Sequence, residues 1–204
     1  MSEFTPTRSL AIALADERRT MREGYAFLDE KCLLLAGRML AEVRRWRTLT
    51  RELAALQSSA QAQLAAAIAR HGLNGLQVYA TAASAQPLAT ERNDLLGVTL
   101  LVVHLAGEAP DPPPAVHPSP EAQTCRRAFA AVMAKLIEMA AVSGNLARLY
   151  AEYRKTVRRV RALQDVLLPE LERTLSEIET SLEELEQDEY GFLRRAVRQA
   201  DAAT

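Results

Sequence analysis

Residues 21–56 read MREGYAFLDEKCLLLAGRMLAEVRRWRTLTRELAAL, and this stretch decides the fold. Its apolar side chains recur at alternating steps of three and four residues, which is typical of an amphipathic helix in a coiled coil. The stripe consists of Met21, Tyr25, Leu28, Cys32, Leu35, Met39, Val43, Trp46, Leu49, Leu53 and Leu56. Continued in both directions, the pattern predicts one helix over residues 7–70, a rod of roughly 90 Å. Such a rod must pair along its length with another helix.

A second stripe lies over residues 122–203 and predicts a second long helix, about 120 Å if unbroken. It is formed by Phe129, Met133, Leu136, Leu146, Leu149, Tyr153, Val157, Val160, Leu163, Leu167, Leu171, Ile178, Leu182, Leu185 and Leu193. Pro169 falls inside this stripe. Because an interior proline removes a backbone hydrogen bond, we expect the helix to kink or restart there.

The middle region, residues 71–121, breaks the helical pattern with glycines and prolines. Its apolar runs 77–80 and 97–103 are candidates for short strands. The segment from Pro110 to Pro120 contains six prolines and is interpreted as a stiff, exposed linker.

These features predict an all-α fold, a long antiparallel two-helix coiled coil with a small irregular or β-hairpin middle. We divide the elongated domain into shaft helix 1–70, middle tip 71–121 and shaft helix 122–204. A parallel homodimer is an alternative that the pattern leaves open. An antiparallel pairing separates Cys32 from Cys125, so no disulfide is expected.

Composition excludes several functions. The chain of 204 residues carries a formal net charge of -1, which argues against a nucleic-acid-binding protein. The sequence lacks a phosphate-binding loop, a nucleophile motif and metal-ligand spacing, so we expect no catalytic site, cofactor or metal. The N-terminus does not resemble a signal peptide, and the apolar run 95–106 is too short to span a bilayer. We expect a cytoplasmic protein without direct membrane insertion.

Charged side chains form bands along the second helix. Arg154, Lys155, Arg158, Arg159 and Arg161 are followed by an acidic stretch that includes Glu183, Glu184 and Glu186, and then by Arg194 and Arg195. Bands of this kind are usually a solvated helix face with pairs four residues apart. They are also candidate contacts with partner proteins, and we take Arg154, Arg158, Arg159, Arg161, the three glutamates, Arg194 and Arg195 as those candidates.

Several segments together resemble the D subunit of V/A-type rotary ATPases. They are TVRRVRALQ at 156–164, LLP at 167–169, LEELEQDE at 182–189, PTR at 6–8 and GYAFLDEK at 24–31. The resemblance covers nearly the whole chain in the family's order. The chain departs from the family pattern at Asp29, Arg161, Gln164, Gln187 and Gly191, which concerns partner contacts more than the helical hairpin.

The resemblance implies a non-catalytic central rotor shaft that transmits torque in a proton- or sodium-translocating ATPase or ATP synthase. It implies four kinds of partner: the catalytic and non-catalytic nucleotide-binding subunits, the small F subunit, and the funnel-shaped subunit above the membrane proteolipid ring. The shaft would be peripheral to the membrane through this complex. A coiled-coil scaffold unrelated to a motor is the alternative. The γ subunit of F-type synthases fits less well, because only about fifty residues separate the two helices.

Overall fold

The computed structural model describes residues 6–79, 87–107 and 118–202, with side chains through residue 198. Their elements are, in chain order, α1 (Arg8–Leu76), β1 (Leu88–Leu95), β2 (Val98–Leu105), α2 (Pro120–Ala162), a π-helical turn (Leu163–Leu167) and α3 (Leu168–Ala202). The predicted fold class is therefore confirmed, with long N- and C-terminal helices and a two-stranded antiparallel hairpin between them. Most of the predicted linker, residues 110–117, lies outside the described residues.

Both long helices begin at a hydroxyl side chain. The Thr7 Oγ1 accepts a hydrogen bond from the Leu10 N–H at 3.2 Å, and the Ser119 Oγ accepts one from the Ala122 N–H at 3.2 Å. These caps satisfy N–H groups that have no partner inside the helix. Pro120 occupies the first helical position of α2, where its missing N–H costs nothing.

Helix α1 loses its regular geometry near the predicted end at residue 70. Gly72 has a φ of 69° and a ψ of 164°, which are non-helical values, before a last turn that ends at Leu76. Glycine adopts a positive φ without the steric cost that a Cβ would impose. Residues 77–79, which belong to the first predicted strand, form a turn, so that strand prediction is wrong.

The chain divides into two compact units, and the first contains residues 1–33 and 154–204. Within it, the N-terminal part of α1 pairs antiparallel with the C-terminal helical segment. Arg8 forms an ion pair with Glu186, and Arg22 reaches Glu172 with an Nη2–Oε1 distance of 2.6 Å. The buried core of this unit is a narrow stripe formed by Cys32, Thr156, Val160, Leu171, Leu175 and Ile178.

The second unit, residues 34–153, is also built on antiparallel helices. The Arg45 Nη2 lies 2.8 Å from the Glu138 Oε1, and the Lys135 Nζ lies 2.9 Å from the Glu52 Oε2. Nearer the helix ends, the His71 Nε2 lies 2.6 Å from the Ser119 Oγ. A buried cluster of Leu53, Ala60 and Val132 holds the helices together, with Leu56, Ala128 and Met139 packed against it.

The β-hairpin belongs to the second unit and forms part of its core. The two strands pair antiparallel from Leu88 opposite Leu105 to Leu95 opposite Val98. Val98 and Leu100 of β2 are buried against Leu35 and Leu149 of the helices. The hairpin therefore packs on the helices at a distance from His71 and Ser119, which lie near the end of this helix pair. Whether the whole middle region forms a tip stays a prediction, because residues 80–86 and 108–117 lie outside the described residues.

The turn of the hairpin has two residues, Leu96 and Gly97, with φ values of 52° and 83°. Two consecutive positive φ values are the geometry of the tight hairpin turn that suits the right-handed twist of paired strands. Glycine takes this conformation freely, whereas leucine takes it at a steric cost. Leu96 packs against the buried cluster of the second unit, and this contact offsets part of that cost.

A buried amide fixes the hairpin to α2. The Asn145 Nδ2 donates to the Leu101 carbonyl at 2.8 Å, and the Leu101 N–H donates to the Asn145 Oδ1 at 2.8 Å. The Arg148 Nη1 also donates to this oxygen, at 3.0 Å. Asn145 is 3% exposed. Its side-chain amide pairs with the backbone N–H and carbonyl of Leu101 as a further strand would, so that neither group is left without a hydrogen bond.

The π-helical turn, Leu163–Leu167, precedes Pro169 and joins α2 to α3. The Leu168 N–H bonds to the Leu163 carbonyl, five residues back, so the turn holds one residue more than an α-turn. The helix is thus locally widened at the predicted break. One detail of the predicted stripe is wrong: Leu167 is 41% exposed, while Leu168 takes the half-buried position.

Both cysteines are free thiols, and each lies in a different unit. Cys32 is buried in the first unit, and Cys125 is half-buried in the second. Burial raises the pKa of the Cys32 thiol, and the nearby Asp29 carboxylate adds to the rise. Burial also raises the pKa of the Cys125 thiol.

Candidate protein-binding surfaces

The basic block occupies the last turns of α2, in the first unit. Its side chains, Arg154, Lys155, Arg158, Arg159 and Arg161, are all exposed. The Arg158 Nε donates to the backbone carbonyl of Arg154 at 3.3 Å. In residues 6–79, 87–107 and 118–198, no ion pair to a carboxylate involves Arg158, Arg159 or Arg161. Within the described residues, these three guanidinium groups are therefore not neutralised by a carboxylate.

The acidic stretch on α3 is partly used within the chain. Glu186 binds Arg8, and this hydrogen bond is the main cause of the raised pKa of the Arg8 guanidinium. Glu183 and Glu184 are exposed. Glu184 lines a shallow cavity of about 420 Å³ with Arg173, Ser176, Glu177, Thr180 and Ser181. Of the three glutamates, Glu186 is thus already engaged by an arginine of the same chain.

The end of α3 carries Arg194 and Arg195 together with apolar side chains that are exposed. Leu185, predicted as buried, is 51% exposed, and Leu193, also predicted as buried, is 58% exposed. An open pocket of about 560 Å³ is lined by Leu185, Asp188, Glu189, Phe192 and Leu193. Leu185 is exposed although it precedes Glu186, the partner of Arg8 at the start of α1, so stripe spacing alone does not decide burial here.

Helix α2 carries further exposed apolar side chains in the second unit. Phe129, Met133 and Leu136 are 39%, 55% and 38% exposed, although the stripe predicted that they would be buried. The helical stretch Pro120–Arg198 is long and apolar enough, by length and composition only, to cross a membrane. Core helices of water-soluble proteins pass the same test. The finding is therefore only weak evidence for a membrane-spanning helix, which the sequence did not lead us to expect.

The second unit also contains a buried carboxylate. Glu42 is 3% exposed, and its Oε1 accepts a hydrogen bond from the Arg38 Nη2 at 2.6 Å. Among the described residues, its Oε2 has no hydrogen-bond partner. A buried carboxylate oxygen without a hydrogen-bond partner destabilises the fold, because it has lost its contact with water and gained no replacement. Sequence reasoning missed Glu42, although it lies three residues after Met39 on the predicted core face.

Side chains that could serve catalysis or bind a metal are scattered over the molecule. The described part of the chain contains no cluster of three or more His, Cys, Asp or Glu side chains suited to a metal ion. His71 contacts the helix-capping Ser119, and His104 lies exposed on β2. The third histidine, His117, and Ser84 lie outside the described residues.

Long paired helices with charged bands and exposed apolar side chains define a helical subunit of a larger protein assembly. Residues 11–197 match the family model of the ATP synthase D subunit, and the chain belongs to this family. The family's members are subunits of ion-translocating V/A-type ATPase and ATP synthase complexes.

Relatives from bacteria and archaea align over almost the whole chain. The V-type ATP synthase D subunit of Thermotoga neapolitana is 24% identical over 93% of this chain and 95% of its own length. The second V-type ATP synthase D subunit of Treponema pallidum is 26% identical over 98% of this chain and 97% of its own. The A-type ATP synthase D subunit of Thermococcus sibiricus is 26% identical, with coverages of 93% and 91%. The resemblance found in the sequence is thereby confirmed.

Proposed function

We propose that this chain is the central rotor shaft of a V/A-type ATPase or ATP synthase. It carries no catalytic site of its own and transmits torque between the membrane ring and the nucleotide-binding hexamer. The observation that carries the proposal is the regular ion-paired register of the first unit. Arg8 with Glu186 and Arg22 with Glu172 advance by equal steps in opposite directions. A helix pair held in one register resists sliding, which a torque-bearing element needs.

The proposed partners are the catalytic and non-catalytic nucleotide-binding subunits, the small F subunit, and the funnel-shaped subunit above the proteolipid ring. Together they hold the shaft on the cytoplasmic side, peripheral to the membrane. As the shaft turns, each catalytic subunit meets a different face of it. A face that contacts one conformation of a subunit better than another shifts that subunit toward the favoured state.

The charge bands are the proposed contact sites for these partners. The basic block faces acidic groups of the hexamer, and Glu183, Glu184, Arg194 and Arg195 make further contacts. Arg158 and Arg159 are exposed and form no ion pair with a carboxylate within the described residues, which supports this assignment. A pair of arginines already neutralised within the chain would have less to offer a partner.

The test is to tag the chain in its source cells, purify it gently and identify the co-purified proteins by mass spectrometry. Two nucleotide-binding subunits in excess of the tagged chain, with a small subunit near one-to-one, are expected. Recovery of the chain alone or with unrelated proteins would overturn the proposal and favour a coiled-coil scaffold.

Charge reversal then tests the basic block. The double substitution Arg158→Glu and Arg159→Glu is expected to reduce assembly and ion-coupled ATP turnover. The matched control is the double substitution Arg126→Glu and Arg127→Glu, which reverses the charge of an adjacent pair on the same helix but in the second unit. Unchanged assembly and turnover in the first variant would remove the basic block from the contact surface.

A further inference from the structure

The outer face of α1 in the second unit carries a surface that the charge bands of the second helix do not include. This face is the side of α1 opposite the buried Leu35, Leu49 and Leu53. At about 100° per residue, five exposed residues fall on it within about 80° of one another. They are Gly37, Leu40, Arg44, Arg47 and Arg51. Together they span about 21 Å of the helix.

The three arginines of this face, which we name the arginine ridge, are not neutralised within the second unit. In residues 6–79, 87–107 and 118–198, no ion pair to a carboxylate involves Arg44, Arg47 or Arg51. Their neighbour Arg45, which points to a different side of α1, binds Glu138. The arginine ridge is therefore a row of three exposed positive charges, about 10 Å long.

Two acidic side chains lie near the arginine ridge in sequence, and neither faces it. Glu42 is 3% exposed on the core side of α1 and binds Arg38. Glu52 lies about 100° around the helix from Arg51 and binds Lys135. These two are the only acidic residues of α1 between positions 34 and 76. The outer face thus carries charge of one sign only.

Two features of the outer face destabilise α1. Arg44 and Arg47, and likewise Arg47 and Arg51, are like charges three and four residues apart, which repel one another on a helix. Gly37 lies inside the helix, where glycine is less favourable than alanine. A Cβ at Gly37 would meet no atom within 4 Å, so packing among the described residues does not require a glycine there. Contacts within the described part of the chain therefore explain neither feature.

Both features suit another helix that packs along the outer face. The missing side chain at Gly37 lets a second backbone approach α1 closely. Leu40, which is 52% exposed, offers an apolar contact beside that point. Arginines spaced by three and four residues complement carboxylates with the same spacing on a neighbouring helix. A second copy of this chain fits less well, because a symmetric pair would bring two arginine ridges together.

We infer that the outer face from Gly37 to Arg51 is a docking site for an acidic α-helix of another subunit. The partner helix comes closest to α1 at Gly37, places an apolar side chain against Leu40 and pairs its carboxylates with the arginine ridge. The inference rests on the proposed function for the presence of partner subunits. It concerns the second unit, whereas the basic block belongs to the first.

Replacement of the glycine separates docking from folding. Gly37→Gln fills the point of closest approach with a better helix former, so the purified chain should melt about 2 °C higher. The same variant, tagged at full length in its source cells, should recover the docked subunit about tenfold less than the wild type. The control Ala62→Gln changes an exposed residue on the same side of α1, about 37 Å away. It should leave recovery unchanged.

Charge variants of the arginine ridge identify the partner helix. Replacement of Arg44, Arg47 and Arg51 by glutamate should lower recovery of the same subunit about tenfold or more. Replacement of all three by lysine keeps the charge and should retain most of the recovery. Zero-length carbodiimide coupling joins an amine to a carboxylate in direct contact. In the lysine variant it should link the introduced amines to acidic residues spaced by three and four on one helix, as mapped by mass spectrometry.

The outcomes separate the docking site from the function on which it rests. If the wild-type chain recovers no other subunit, the proposed function fails, and the docked helix fails with it. If the wild type recovers its partners and either Gly37→Gln or the glutamate variant recovers all of them equally, the docking site alone is overturned. Links between two copies of this chain would overturn it in favour of a dimer. An unchanged or higher melting temperature of Gly37→Gln excludes misfolding as the cause of a loss.

Discussion

Both units of the chain are built on antiparallel helix pairs, but they differ in how many apolar side chains they bury. In the second unit a β-hairpin packs on the helices, so that Leu35 and Leu149 are completely buried. In the first unit only a narrow stripe is buried, and large apolar side chains such as Phe192 and Val166 remain exposed. The second unit therefore buries more apolar side chains in its own core, although it also exposes large ones such as Met133.

The ion pairs show the same contrast. Glu138 in the second unit binds both Arg45 and Lys135, and its side chain is 33% exposed. Arg22 and Glu172 in the first unit are 58% and 44% exposed. Exposed pairs fix the register of helices but contribute little free energy. Substitutions in the two units should therefore differ strongly in their effect on stability.

The largest expected effect is that of Leu149→Ala. Leu149 is 0% exposed and packs against Leu35, Val98 and Leu100, so its truncation leaves a cavity. We expect the free energy of unfolding to fall by about 2–5 kcal/mol, measured by urea denaturation. The control Leu33→Ala, at a position 69% exposed in the first unit, should change it by about 0.5 kcal/mol or less. Equal losses in both variants would contradict the role of Leu149 as a buried core residue.

The next effect concerns the anchor of the hairpin. Asn145→Ala leaves both the Leu101 N–H and its carbonyl without their partner and should cost about 1–3 kcal/mol. Hydrogen exchange should show faster exchange of the Leu101 amide. Asn93→Ala, at an exposed position of β1, is the control. An unchanged exchange rate at Leu101 would mean that another group holds the hairpin.

A smaller effect depends on pH. The hydrogen bond from Arg45 is the main cause of the lowered pKa of the Glu138 carboxyl, whose ordinary value is 4.5. A lowered pKa in the folded state stabilises the protein above pH 4.5, and this contribution disappears as the pH falls through the lowered pKa. Glu138→Gln should therefore lose at most about 1 kcal/mol at neutral pH and match the wild type in acid. A difference that is constant with pH would exclude this ion pair as its source.

The smallest effect is expected for Arg22→Ala in the first unit. The exposed Arg22–Glu172 pair should contribute less than about 1 kcal/mol to unfolding, and even less at high salt. Arg19→Ala, which removes a pair with Asp16 on the same helix, provides the comparison. A loss as large as that of Leu149→Ala would show that register pairs, and not the core, stabilise the first unit.

Much of this fold could be predicted from the sequence, because helical periodicity is a local signal. The stripe through Leu35 and Leu53 predicted α1, and the apolar run 97–103 predicted most of β2. Strand β1 was missed because LATERNDL shows no alternation of apolar residues. The clamp at Asn145 was missed because its partner, Leu101, lies forty-four residues away and leaves no local pattern.

The candidate surfaces were only partly predictable. Charge bands are visible in the sequence, and the structure adds that Glu186 is already bound to Arg8. Periodicity alone could not distinguish a buried stripe position from an exposed one, as at Leu185 and Leu193. The predicted stripe took a four-residue step from Leu163 to Leu167. In the structure the step is five residues, from Leu163 to Leu168, and the sequence pattern allows either step.

One of the two free thiols, that of Cys125, offers an attachment point for a spectroscopic reporter. Cys125 is half-buried and Cys32 is buried, so a thiol-reactive dye should modify Cys125 first. Because burial raises the pKa of the Cys125 thiol, the thiolate fraction and the labelling rate should increase as the solution becomes more alkaline. A dye on Cys125 would then report the orientation of the second unit in single molecules, without any substitution in the chain.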